Sequence, residues 1–126
     1  MPNIKRGEMK KINFYFNEKK FSVYVEECNL FQKIKGLMFS RRETAKILLF
    51  EFRKKRNIII HSFFVFFPFV AIWLNEKNDV IDLKIVKPFT PCVSPSEKTP
   101  SLVEIPFNKK NKKILKNLFV KPLVGD

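Results

Sequence analysis

Histidine, cysteine and glycine are all scarce in this chain, and each scarcity removes a class of chemistry. His61 is the one histidine, which excludes a metal site built on a histidine pair and any catalytic arrangement needing a second imidazole. The two cysteines, Cys28 and Cys92, lie far apart and outside any paired-cysteine motif. That spacing argues against zinc or dithiol chemistry and for free thiols in a reducing compartment. Gly7, Gly36 and Gly125 stand alone, so no glycine-rich loop is present to cradle a phosphate. Carboxylates number only twelve, and their close pairs, Glu26 with Glu27 and Asp79 with Asp82, suit strand ends and turns better than a facing acid–base pair. No cofactor and no metal is expected.

Basic and aromatic residues are abundant. Twenty-five Lys and Arg give a formal charge of +13, which favours anionic partners. Twenty of the twenty-five are Lys, whereas nucleic-acid sites favour the forked Arg. Lys, Phe, Ile and Asn also share A/T-rich codons, so composition alone accounts for part of the excess. The clusters Arg53, Lys54, Lys55, Arg56 and Lys109, Lys110, Lys112, Lys113 are candidates for neutralising phosphates, with Tyr15, Tyr24 or Trp73 available to stack on bases. The competing reading is that such charge runs are simply solvated faces. Fifteen Phe among 126 residues supply enough aromatic area for one packed core, and the whole chain, 1–126, reads as a single domain.

The run from Ile58 to Leu74 is the most apolar stretch and follows Arg53-Lys54-Lys55-Arg56. It is at the short end of a membrane-spanning helix. His61, Ser62 and the mid-segment Pro68 argue against that assignment, as does the preponderance of aromatic and β-branched residues. Two strands broken near Pro68 are expected instead, with no membrane span. The opening Met1-Pro2-Asn3-Ile4-Lys5-Arg6 lacks the apolar core of a secretory signal, and a cytoplasmic location is expected.

Along the chain, Ile12 to Phe16 and Phe21 to Glu26 read as a hairpin, with Phe21, Val23 and Val25 on its buried face. Asn29 is placed to cap a two-turn helix carrying Phe31 and Ile34 on one side, and Gly36 to end it. Ile47 to Phe52 and Ile58 to Phe67 read as strands across an exposed turn at Arg53 to Asn57, forming the centre of the core. Val70 to Leu74 and Val80 to Val86 form a further hairpin across an Asn- and Asp-rich turn. Pro88, Pro91, Pro95 and Pro100 make Lys87 to Ser101 a long surface loop. Leu102 to Ile105 is a strand, Asn108 caps a basic helix with an Ile114, Leu115, Leu118 stripe, and Phe119 to Val124 is extended. The predicted fold is mainly β, a compact antiparallel sandwich or barrel with two short helices.

Several stretches, taken in order, resemble a family known only as domain of unknown function 192, small β-rich proteins of bacteria and archaea. They are Gly36-Leu37-Met38-Phe39 with Arg41 and Arg42 after it, Leu48-Leu49-Phe50, and His61-Ser62-Phe63-Phe64. Pro68, the Pro88-Phe89-Thr90-Pro91 loop, Leu102-Val103-Glu104-Ile105-Pro106 and Gly125-Asp126 complete the set. The likeness spans about residues 21–126 and implies a barrel-like or jelly-roll-like β fold without an assigned activity. The family places an acidic residue shortly after the matched proline, where this chain has Phe69, Val70 and Ala71. If that carboxylate belongs to a shared site, this chain lacks it.

His61, within an apolar stretch, is expected to be a core residue with a satisfied ring nitrogen. A thiolate activated by His61 would require Cys28 or Cys92 to approach it in the fold. His61, Arg41, Lys87 and Cys92 form the candidate pocket. The expected role is a non-enzymatic binding or accessory module for a small ligand or protein partner. The alternatives are sequence-tolerant nucleic-acid binding through the Lys-rich clusters, or a small hydrolase or transferase completed by a partner chain.

Overall fold

A computed structural model describes residues 9–120, apart from the side chains of Leu30, Phe31 and Ile34. The chain is mainly β: six strands form one sheet in the order β1-β2-β3-β6-β4-β5. Strands β1 (Met9–Phe16) and β2 (Lys19–Glu27) make the first hairpin, registered Phe14 against Phe21. Its turn is only Asn17-Glu18, both at positive φ (51° and 63°), the left-handed pair that matches the twist of a two-residue hairpin. Helix α1 (Leu30–Lys35) then carries the chain over to β3 (Leu48–Arg56), which pairs parallel with β2 at Glu26–Leu48 and Glu27–Leu49. A parallel neighbour needs such a crossover. β4 (Phe69–Leu74) and β5 (Val80–Val86) form the second hairpin, and β6 (Thr99–Pro106) inserts antiparallel between β3 and β4. A 3₁₀ turn (Lys109–Asn111) leads into α2 (Lys112–Leu118).

The sheet is mixed and strongly curled, and its two edges meet at one end. Tyr15 N donates to Asn78 O at 2.9 Å, and Asn78 Nδ2 to Asn13 O at 2.8 Å. The expected second sheet of a sandwich is therefore absent among the described residues, because one sheet bends far enough to enclose a core itself. Strand alternation divides the apolar residues between two cores. Phe14, Val23, Leu49, Val70, Ile72 and Val103 face the inside of the curl with Leu115 and Leu118 of α2. Phe50, Phe69, Ala71, Trp73 and Leu102 face the other way, beneath Leu37, Ile58, Val65 and Phe67. All six β4 residues are buried, as a strand covered on both faces requires.

Four expectations along the chain are corrected. Ile58 to Phe67 is not a strand: only Ile60 forms a bridge, to Val93. β6 takes the place beside β3 that a returning strand would need, so the segment lies over the sheet as a loop, held by Trp73 Nε1 donating to Ile58 O at 2.9 Å. Arg53 to Arg56, expected as a turn, extend β3, with Arg56 paired to Thr99 after a register shift. The proline-rich loop is shorter than expected, since Thr99 to Ser101 already belong to β6. Asn108 does act as a cap, but of the 3₁₀ turn, accepting from Asn111 N at 3.1 Å. The expected extension beyond Val120 and the closing Gly125-Asp126 lie outside the described residues.

Candidate functional site

The face of the sheet beneath α1 holds a carboxyl group where strand alternation calls for an apolar side chain. Glu104 stands on β6 between Leu48 of β3 and Ala71 of β4, and only 5% of its surface is exposed. Among the described residues it makes no hydrogen bond and no ion pair. Burial pushes its carboxyl up to about 8, so at neutral pH it is mainly a neutral acid, able to donate as well as accept a hydrogen bond.

Space around Glu104 follows from two small residues. Ala71 is its cross-strand neighbour, and Gly36 crosses above it. Asn29 caps α1 through a reciprocal capping box with Gln32, Asn29 Oδ1 accepting from Gln32 N at 2.9 Å and Asn29 N donating to Gln32 Oε1 at 3.1 Å. At the other end Gly36 turns the chain at φ 54° and ψ −131°, a region that side chains avoid. A Cβ at Gly36 would lie 3.7 Å from Glu104 Oε1 and 3.8 Å from Phe50 Cζ. The result is a pocket of about 250 Å³ with Glu104 in its wall, lined otherwise chiefly by apolar side chains such as Leu37, Phe50, Ile58 and Leu102. Lys33, Lys35 and His61 complete it. Phe52 in the same wall is flanked by cations: Lys33 Nζ lies 4.7 Å and the Arg56 guanidinium carbon 4.9 Å from its ring centre.

The four candidate pocket residues do not converge. His61 lines the Glu104 pocket, but it is exposed, not a core residue, and its Nδ1 accepts from Phe63 N at 3.1 Å. Arg41 lines a separate cavity of about 670 Å³ beyond Gly36 and Leu37, with Glu26, Cys28 and Lys46. Lys87 is exposed, its carbonyl accepting from Ser62 Oγ at 2.6 Å and Thr90 Oγ1 at 2.7 Å. Cys92 is exposed, 3.8 Å from Ser94 Oγ. Cys28 is buried, and burial together with the nearby Glu104 and Glu26 pushes its thiol up to about 12. Such a thiol supplies no thiolate nucleophile at neutral pH.

The basic clusters lie on exposed positions of β3, the 3₁₀ turn and α2. Lys55 is 3.7 Å from Glu76. Of the rings proposed for base stacking, Tyr15 and Tyr24 are exposed, but Trp73 is fully buried and unavailable. No group of three or more His, Cys, Asp or Glu arranged to hold a metal occurs among the described residues. No helix among them is long and apolar enough to cross a membrane.

Two solved structures share this architecture. A protein from Sinorhizobium meliloti 1021, proposed to be a transcription regulator, superposes with a TM-score of 0.72 at 16% identity, covering 87% of this chain and 88% of its own. A protein of unknown function from Novosphingobium aromaticivorans DSM 12444 gives a TM-score of 0.69 at 14% identity, covering 90% of this chain and 81% of its own. These likenesses establish the fold alone. No protein-family model and no curated protein matches the sequence.

Glu104 is the residue that sequence reasoning missed as a site, having noted it only within the Leu102-Val103-Glu104-Ile105-Pro106 stretch. A signal was present: a single carboxylate inside an apolar strand that ends at a proline. Its partners in forming the pocket come from distant parts of the chain, and pairwise carboxylate spacing does not register them.

Proposed function

We propose that this domain is a binding module for a small organic acid, held in the Glu104 pocket. The observation that carries this reading is a carboxyl group with 5% exposure and no hydrogen-bond or ion-pair partner among the described residues, standing in the wall of a cavity. Buried polar groups are otherwise paired almost without exception, so an unpaired one facing a cavity calls for a ligand or water. A protonated Glu104 donates to an acceptor on the ligand, the apolar walls take its hydrocarbon part, and Lys33, Lys35 and Arg56 favour a negative charge over a positive one. The volume of about 250 Å³ lies below the roughly 300–1,000 Å³ of drug-sized sites, which limits the ligand to a short chain or single ring.

The stretches that carry the resemblance to domain of unknown function 192 support the same reading. Gly36, Leu37 and Met38, Phe50, His61, and Leu102 with Glu104 come from four of those stretches and line this one pocket. Membership of that family is proposed on this convergence and on motif order. The acidic position it expects after Pro68 falls at Phe69 to Ala71, where Val70 faces the inner core, away from Glu104.

The test is an NMR titration of the protein with short aliphatic and aromatic carboxylic acids, using amines of equal size as controls. The acids are expected to shift the amides of Gly36, Leu37 and His61, and Glu104→Leu to weaken them by about tenfold, the equivalent of one buried hydrogen bond. Equal response to acids and amines, or unchanged affinity in Glu104→Leu, contradicts the proposal.

A further inference from the structure

Three loops bring four phenylalanines to one exposed point. Phe39, Phe64, Phe66 and Phe89 are 64%, 47%, 63% and 45% exposed, yet they pack on one another. Phe39 stacks on Phe64 at 5.1 Å, and Phe64 and Phe66 each meet Phe89 edge-on at 5.9 and 5.2 Å. Three of the four have left-handed backbones, with φ 61° at Phe39, 60° at Phe64 and 57° at Phe89. That conformation is uncommon for bulky residues and persists only where the surroundings enforce it.

Here the enforcement comes largely from buried Ser62. Its Oγ donates to Lys87 O at 2.6 Å and accepts from Thr90 N at 2.7 Å, while its carbonyl accepts from Phe89 N at 2.9 Å. Phe39 N donates to Phe64 O at 2.9 Å, tying the third loop to the other two. The knob is thus fixed before any partner arrives, which reduces the ordering cost of binding.

Charge decides between occupants. The three loops, residues 36–47, 57–68 and 87–98, carry Arg41, Arg42, Lys46, His61, Lys87 and Lys98 against only Glu43 and Glu97. A second copy, carrying the same +13 charge, is repelled. A single-stranded nucleic acid needs free ring faces beside a track of cations. In this cluster the rings are engaged with one another, and the cations are spread over every strand and helix except β4 and β6. Diffuse positive charge around a bare hydrocarbon knob fits a planar anionic surface with an apolar interior. We propose that the Phe39–Phe64–Phe66–Phe89 knob docks this protein on an anionic phospholipid bilayer, its rings entering the headgroup boundary and Arg41 and Lys87 meeting the headgroups.

The test is co-sedimentation of the full chain with vesicles of mixed phosphatidylglycerol and phosphatidylcholine, against pure phosphatidylcholine and a single-stranded oligothymidylate. The proposal predicts pelleting with the anionic vesicles only. Phe39→Asn with Phe66→Ser is expected to lower that affinity by about tenfold, Asn being suited to the left-handed backbone. A separate Phe66→Trp variant reports insertion without removing the knob. Its emission is expected to shift to the blue on anionic vesicles, over a constant background from fully buried Trp73. Unchanged pelleting after ring removal, no blue shift, or oligothymidylate binding that the same double substitution weakens would overturn the proposal.

Discussion

Glu104 differs from the other strand carboxylates in what its neighbours are. On its face of the sheet the adjacent positions are Leu48 and Ala71, and neither offers a hydrogen bond to a carboxylate. Its pKa of about 8 in the fold against 4.5 as the reference means that the folded state holds its proton over a range where the unfolded chain has released it. Stability is then unaffected by Glu104 below about pH 4.5 and falls as pH rises, until the full penalty is reached above about 8. Glu104→Gln removes the ionisation while keeping the shape. Denaturant unfolding of both proteins is expected to give similar stabilities at acid pH and a difference on the order of a few kcal/mol in favour of Gln at alkaline pH. A constant difference across that window would mean that Glu104 finds a partner when ionised.

Among the elements, α1 was the most legible in sequence and β3 to β4 the least. Asn29 and Gly36 mark the ends of the helix by side-chain chemistry and backbone freedom, both local properties that a sequence displays directly. Ile58 to Phe67 has the composition of a strand, but pairing depends on which neighbour occupies the adjacent ladder, and β6, far along the chain, had priority beside β3. His61 shares that apolar composition, which points to the core, whereas in the fold it is exposed at the pocket. Gly36 links helix to pocket, and its backbone conformation is the feature most sensitive to change. A methyl group fits there sterically, its nearest atoms at 3.7 and 3.8 Å, but φ of +54° does not suit it. Gly36→Ala is expected to cost about 1–3 kcal/mol in thermal or chemical unfolding. A cost near zero would show that α1 can end differently without disturbing the pocket.

For the molecule as a whole, one curled sheet separates two cores, and the outer one is left incompletely filled at Glu104. The hairpins and the mainly β character follow from alternation and turn chemistry, which is why they could be read from sequence. The curl itself and the meeting of β1 with β5 at Tyr15 and Asn78 depend on strand order, which alternation does not encode. The central claim, that the outer core contains a buried acid facing a cavity and without a partner among the described residues, is tested most directly by a carbon-13 NMR titration of the Glu104 side-chain carboxyl, assigned with Glu104→Gln. The account predicts a midpoint near 8 that moves when a short-chain carboxylic acid is added. A midpoint near 4.5, unmoved by any such ligand, would contradict it.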